Sequence, residues 1–307
     1  MKKVFIDGKE GTTGLKIFLR IKMREDLILL EIPEDKRKDV DFRKKLINES
    51  DVTFLCLPDD AAKESVSLLE NPDTIIIDAS TAHRTNPDWV YGFPEIIGYE
   101  KIKSSKKIAV PGCHASGFVS LVYPLIKGGL INPDYPFVCH SETGYSGGGK
   151  SLIAEYNNPN RDKGFCSAVQ YALGQNHKHQ PEMKYVCNLT RTPIFNPTLG
   201  DYYSGMLVSV PLYTDLMAKK SNVDSLYQYY ADFYKGKKII SVEKYDKNRL
   251  PANMLEGKDS MFIAISGNEE RILLAAVFDN LGKGASGAAV QCMNIALGIE
   301  ESLSLII

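Results

Sequence analysis

The sequence has little that points to a covalent staple, a membrane anchor or a charged partner. Its six cysteines (Cys56, Cys113, Cys139, Cys166, Cys187, Cys292) contain no C-x-x-C pair. A chain of 307 residues is long enough to bury a core without disulfides, so a disulfide framework and a zinc or other metal site are both set aside. No apolar run approaches the ~18 residues of a membrane span. The start, Met1-Lys2-Lys3-Val4-Phe5-Ile6-Asp7, stops being apolar after three residues, as a strand does and a signal peptide does not. A cytoplasmic protein with no membrane partner is the expectation. The formal net charge is only −1 and the lysines are scattered, which leaves no basic face for nucleic acid. With 44% hydrophobic and 24% charged residues the balance is that of a globular chain, and the length predicts two domains of about 150 residues each.

What is present is organised around Val110-Pro111-Gly112-Cys113-His114-Ala115-Ser116-Gly117-Phe118. Ile108–Val110 arrives as a short buried strand, Pro111-Gly112 turns it, and the periodic stretch from Phe118 to Ile126 leaves as a helix. Cys113 therefore falls at a helix N-terminus, where unpaired backbone N–H groups favour thiolate over thiol. A buried, inert thiol is the alternative reading at this point.

Upstream, Lys3–Asp7 reads as a strand and Gly8-Lys9-Glu10-Gly11-Thr12-Thr13-Gly14 as a glycine turn. Leu15, Phe18 and Leu19 then open a helix. Strand, glycine turn and helix N-terminus are the context a dinucleotide pyrophosphate needs, although G-x-x-G-x-x-G is not the usual fingerprint spacing. A second strand over Leu27–Ile32 contains Glu31 and is followed by Glu34, Asp35, Lys36, Arg37 and Lys38. An acidic residue there suits a ribose hydroxyl and a basic one a 2′-phosphate, so the residues leave NAD and NADP both open. Further strands, Asp51–Leu57 and Thr74–Asp78, alternate with helices and specify a parallel sheet covered on both faces. Ligands bind at the carboxyl ends of such strands, which draws attention to Ser80 and Arg84.

Beyond Cys113 the pattern changes. Phe137–Ser141, Tyr185–Leu189, Met206–Leu212, Phe262–Ser266 and Ile272–Phe278 read as strands of a mixed or antiparallel sheet. A final small-residue helix after Asp279–Ala289 is expected to return to the first domain. The expected division is a nucleotide-binding domain of residues 1–112 plus 283–307 and a catalytic and dimerisation domain of residues 113–282. Glu142–Lys150, rich in glycine, could wrap an anion through its N–H groups but reads more readily as a mobile surface loop. In His177-Lys178-His179-Gln180-Pro181-Glu182, a histidine brought beside a cysteine could take its proton. Two histidines at i, i+2 make a poor metal site, and Pro181-Glu182 resembles a helix first turn.

These motifs, in this order over essentially the whole chain, resemble the N-acetyl-gamma-glutamyl-phosphate reductase family of arginine biosynthesis, relatives of aspartate-semialdehyde dehydrogenase. The resemblance implies an α/β fold, with a Rossmann-type nucleotide-binding domain and an α+β mixed-sheet domain. It also implies NADPH-dependent reduction of a small-molecule acyl phosphate through a Cys113 thioester, with His177 as acid/base. Gly8, Gly11, Thr12, Thr13 and Gly14 would cradle the cofactor phosphates, Ser80 would lie near its nicotinamide half, and Asn280 would touch it. Arg84, Lys150 and Glu182 are candidates for binding substrate or phosphate. A homo-oligomer, dimer or tetramer, is expected. His114 and Ala115 depart from the aromatic residue and proline common in longer members, which affects substrate fit. The competing readings are a sister reductase acting on aspartyl phosphate or a carrier-bound aminoadipyl phosphate, a thiol hydrolase, and an NADPH-binding sensor.

Overall fold

Short apolar runs with flat burial on both faces make a parallel sheet in the first third of the chain. The computed structural model describes residues 1–307. Its first elements are β1 (Lys2–Asp7), α1 (Thr12–Lys22), β2 (Leu27–Leu30), α2 (Val40–Glu49), β3 (Val52–Leu55) and α3 (Asp59–Ser67). They are followed by β4 (Ile75–Asp78), β5 (Val90–Tyr91), α4 (Pro94–Ile97), α5 (Tyr99–Ser104) and β6 (Lys107–Ala109). The six strands lie in the order β2-β1-β3-β4-β6-β5 and every pairing is parallel. Alternate residues of β1 serve opposite faces. Val4 and Ile6 enter one core with Ile17, Phe54 and Ile77, whereas Phe5 enters the other with Ile47, Leu55 and Ile76.

The chain continues with α6 (Cys113–Lys127), β7 (Val138–Gly144), α7 (Gly149–Tyr156), β8 (Val169–Gln170), α8 (His179–Val186) and β9 (Ile194–Gly200). Next come β10 (Met206–Tyr213), α9 (Val223–Phe233), β11 (Ile240–Lys244), β12 (Met261–Gly267) and β13 (Arg271–Phe278). This second sheet, β11-β12-β13-β10-β7-β9-β8, is mixed: β7–β9 and β11–β12 are parallel, the others antiparallel. The last helix, α10 (Gly287–Ala296), packs against α1, α5 and β4. Its Ala288, Ala289 and Val290 share a core with Val4, Ile6 and Val110. Two compact units result, residues 1–111 with 285–305, and residues 112–284 with 306–307. No helix is long and apolar enough to cross a membrane.

In the second unit α6 contains Pro124, which has no N–H to give the Ser120 carbonyl four residues back. The Tyr234 hydroxyl donates to that carbonyl instead, at 2.7 Å, while the Tyr230 hydroxyl donates to Leu121 O and that of Tyr229 to Pro124 O. Three tyrosines at the end of α9 thus complete the helix that begins with Cys113.

Two sequence expectations are corrected. Tyr185–Leu189 is not a strand: Tyr185 and Val186 end α8, and Asn188 follows with a positive φ of 52°. The strand of this region is β9, whose Pro197 disguises it. The Glu142–Lys150 stretch is regular structure in place of a mobile loop. It runs from the end of β7 through a 3-10 turn, Tyr145–Gly148, into α7, with the N–H groups of Tyr145 and Ser146 bound to the carbonyls of Tyr202 and Tyr203.

Candidate active site

Cys113 is the first residue of α6, preceded by Gly112 in an extended conformation, with no side-chain cap and no acidic residue in the first turn. The helix N-terminus is therefore left to act on the thiol itself. Glu182, buried on α8, accepts the Gly112 N–H at Oε1 at 2.8 Å. This carboxylate was expected to bind substrate, and its Oε1 holds the turn before Cys113. Gly284 packs on the other side, where an added Cβ would stand 3.0 Å from Cys113 Cβ. Cys113 is half-buried, whereas Cys139 and Cys187 are buried thiols pushed up by that burial.

Cys113 Sγ and one ring nitrogen each of His114 and His179 lie within 4.8 Å of one another. His177 is outside that trio, its ring 4.8 Å from that of His179 and 5.7 Å from that of His114. His177 Nδ1 accepts the backbone N–H of His179 at 3.2 Å, so the neutral ring carries its proton on Nε2. Burial and then Lys178 push His177 down to about 4. Burial, His177 and Lys178 push His114 down to about 3. Both rings are neutral near pH 7, which makes His177 a hydrogen-bond donor through Nε2. His179 and His114, and not His177, are the histidines grouped with Cys113. The sequence reading missed this division, together with Tyr171 and Ser141, which bracket His114 at 2.7 and 2.6 Å. Only the spacing of the histidine pair hinted at it.

Among the charged candidates, Arg84 is buried, and its Nε and Nη2 donate to the carbonyls of Val110 and Ala79. Those donors brace the ends of β6 and β4 and are not aimed at an anion. Lys150 is exposed in the first turn of α7. Asn280 is buried, its Oδ1 accepting from Gly205 N and its Nδ2 donating to Ser146 Oγ.

In the first unit the glycine turn has the shape of a phosphate cradle. Gly8 has a φ of +91°, which side-chain-bearing residues rarely adopt, and a Cβ there would stand 2.5 Å from Cys56 O. A Cβ on Gly14 would strike Gly8 O. Gly11 caps α1 without a side-chain bond, leaving the first-turn N–H groups of Thr12, Thr13 and Gly14 to face an anion. Beside the turn lies a cavity of about 260 Å³ whose lining includes Gly8, Lys9, Ile32, Glu34, Arg37 and Lys38. Glu31 does not line it and pairs with Lys9 at 3.3 Å. Ser80 is buried, with its N–H and hydroxyl both on Asp78. Asp78 also meets His83 Nδ1 at 2.6 Å, and the His83 ring stacks on Trp89 at 4.0 Å.

Comparison with known proteins agrees with this architecture. The model of the semialdehyde dehydrogenase NAD binding domain matches residues 20–105, and that of the semialdehyde dehydrogenase dimerisation domain matches residues 113–280. The chain is 43% identical to an N-acetyl-gamma-glutamyl-phosphate reductase of Trichormus variabilis, with 99% of each covered. It is 42% identical to N-acetyl-gamma-glutamyl-phosphate reductase 2 of Pseudomonas putida, with 96% of each covered. Aspartate semialdehyde dehydrogenase II from Vibrio cholerae, complexed with ASA, superposes with a TM-score of 0.72 at 16% identity, covering 97% of this chain and 98% of that one. The corresponding enzyme from Francisella tularensis gives 0.70 at 15%, covering 96% and 99%. At such identities the solved structures speak for the fold alone. The chain belongs to the semialdehyde dehydrogenase family, in its N-acetyl-gamma-glutamyl-phosphate reductase branch.

Proposed function

We propose that this protein reduces N-acetyl-gamma-glutamyl phosphate with NADPH, giving N-acetylglutamate 5-semialdehyde and phosphate in arginine biosynthesis. The observation that carries the reading is Cys113 at an uncapped helix N-terminus, within 4.8 Å of two histidine ring nitrogens, in a chain so similar to named reductases. His179 takes the Cys113 proton, and the thiolate attacks the acyl carbon. The C–S bond forms, the C–O bond to phosphate breaks, and phosphate leaves with the electron pair. A thioester keeps its carbonyl reactive, so hydride can add to the same carbon. NADPH, when bound, would supply that hydride. His177 Nε2–H donates to the oxygen as negative charge develops there. Collapse of the resulting thiohemiacetal breaks the C–S bond, releases the aldehyde and restores the sulfur. Lys150 remains the candidate for an anionic group of the substrate.

Gly8, Gly11, Thr12, Thr13 and Gly14 would hold the cofactor pyrophosphate, and Arg37 and Lys38 favour a 2′-phosphate over a bare ribose. The Lys9 pairing supports that preference by occupying Glu31. Self-association through the second sheet is supported by apolar residues left on one of its faces. Leu273 and Pro211 are opposed across β13 and β10, as are Val138 and Ile194 across β7 and β9, and all but the half-buried Val138 are exposed. A homo-oligomer, dimer or tetramer, in the cytoplasm is the expected form.

The test follows absorbance of reduced nicotinamide with N-acetylglutamate 5-semialdehyde, phosphate or arsenate, and NADP or NAD in parallel. Signal that needs the anion, prefers NADP and disappears in Cys113→Ser is expected. A preference for aspartate semialdehyde, or no signal with either nucleotide, overturns the assignment.

A further inference from the structure

From the sequence, His177 and His179 lack a third ligand and make a poor metal site. The fold supplies what that spacing withholds, but to His179 alone. Cys113 and His114 open α6 and His179 opens α8, and Cys113 Sγ and one ring nitrogen of each histidine lie within 4.8 Å of one another. The two helix starts are tied together, because Glu182 of α8 accepts the Gly112 N–H beside Cys113 at 2.8 Å. Gln180 fixes the turn entering α8: its Oε1 accepts the His177 N–H at 2.8 Å and its Nε2 donates to the Pro193 carbonyl at 3.1 Å. His114 and His179 are buried and Cys113 is half-buried, so the sulfur side is the one open to solvent. Tetrahedral Zn2+, with Zn–N of about 2.0 Å and Zn–S of about 2.3 Å, sets its ligands about 3.3–3.6 Å apart. The trio reaches that spacing with side-chain movements of about 1–1.5 Å.

We propose that Cys113, His114 and His179 form a site for a soft divalent cation, Zn2+, and that its occupation inhibits the enzyme reversibly. One thiolate and two imidazoles are a donor set that zinc takes and that Mg2+ and Ca2+, which want oxygen, do not. Three protein ligands leave the fourth position to water. Binding replaces the thiol proton with the metal, and a sulfur committed to the ion no longer attacks an acyl carbon. Binding stands apart from the function proposed above, whereas inhibition rests on Cys113 being the nucleophile of that reading. His114 carries its own orienting partner. Its Nδ1 meets Ser141 Oγ at 2.6 Å and its Nε2 meets the Tyr171 hydroxyl at 2.7 Å, so one of these contacts yields when the ring ligates. Ser141 is fully buried on β7, while Tyr171 is half-buried beyond β8. Tyr171 is therefore the one able to swing away, and Ser141 stays to orient the ligating ring. Among the charged neighbours, Lys178 is exposed and its opposition to a cation is screened, while the Glu182 carboxylate behind Gly112 favours one.

The experiment adds Zn2+, or Co2+ as its coloured substitute, to the full-length protein in a Cys166→Ser background that removes the exposed thiol. One Co2+ per chain is expected, with a thiolate-to-cobalt charge-transfer band that Zn2+ displaces and that is lost in Cys113→Ser. His114→Gln and His179→Gln should each weaken Zn2+ by about 100-fold or more, beyond what loss of an outer partner costs. His177→Gln keeps an oxygen to accept the His179 N–H and is expected to change the affinity little. Absence of the band, its survival in Cys113→Ser, or damage from His177→Gln equal to that from His179→Gln overturns the proposal. One measurement needs no histidine variant: Zn2+ should block iodoacetamide alkylation of the Cys113 peptide, read by mass spectrometry, and a chelator should restore it. A Cys113 left unprotected overturns the site even where the histidine variants fail to fold. Turnover in the nicotinamide assay is followed with and without Zn2+. Absent turnover with the band present fails the reductase reading and keeps the site, and normal turnover without the band does the reverse. Turnover unchanged at full Zn2+ occupancy overturns the inhibition.

Discussion

The two units meet their ligands with different physics. The nucleotide edge of the first unit is made of backbone N–H groups and solvated charges: the open first turn of α1 and the exposed side chains of Arg37 and Lys38. The site in the second unit is made of buried side chains with little water, His114, Ser141, His179 and Glu182 among them. An exposed charged edge reads an anion at long range and is screened by salt. A buried cluster holds protons at fixed atoms and feels salt far less, but it is vulnerable wherever one partner is removed. The contrast predicts that damage to the first unit appears in cofactor affinity and damage to the second in turnover.

The sharpest separation comes from Cys113→Ser, expected to lower phosphate-dependent hydride transfer by about 10³-fold or more while NADP binding, measured calorimetrically, stays unchanged. Next, Glu182→Gln weakens the anchor on Gly112 N–H. It should lower kcat by about tenfold or more and stability by about 1–3 kcal/mol in urea unfolding, leaving KM for NADPH in place. Reversing the first unit's charges with Arg37→Glu and Lys38→Glu should weaken NADPH binding by about 10–100-fold with little effect on NADH. The wild-type preference should also shrink as salt rises. Acid separates the units again through the second unit's histidines. His114 and His177 are pushed down to about 3 and about 4 from 6.5, so the unfolded chain takes up their protons first. Their share of stability is whole above pH 6.5 and is lost as pH falls through about 4 and then 3. Denaturant midpoints measured across that window should fall, and the fall should be smaller in His177→Gln. The smallest effect belongs to Lys9→Met, since its exposed pair with Glu31 is worth about 0–1 kcal/mol.

The same contrast explains what could be read from the chain. The glycine turn is legible because strand, turn and helix are consecutive, and residues 2–22 contain the whole device. Cys113 is legible for the same reason. Ser141 and Tyr171 are not, because they are brought to His114 from β7 and from the segment after β8, across 27 and 57 residues of chain. Nothing in their local patterns marks them. Arg84 and Glu182 show what local pattern leaves out: charge in a motif suggests a ligand, and the structure adds that Arg84 donates to the Val110 carbonyl and Glu182 accepts the Gly112 N–H. β9 was hidden by Pro197, which breaks a strand pattern without breaking this strand.

The gap that Pro124 leaves in α6 has a consequence for the order in which the protein is assembled. The Ser120 carbonyl finds its donor 114 residues later, in the Tyr234 hydroxyl, so the helix that begins with Cys113 is finished from the far side of the sequence. During synthesis every strand from β7 to β10 is complete before Tyr234 exists. A nascent or truncated chain that stops short of α9 holds Cys113 on an incompletely bonded helix, and it also lacks α10, which shares the core of the first unit. Completion of the helix that begins with Cys113 thereby becomes a late event in the maturation of the chain, made by the docking of three tyrosines.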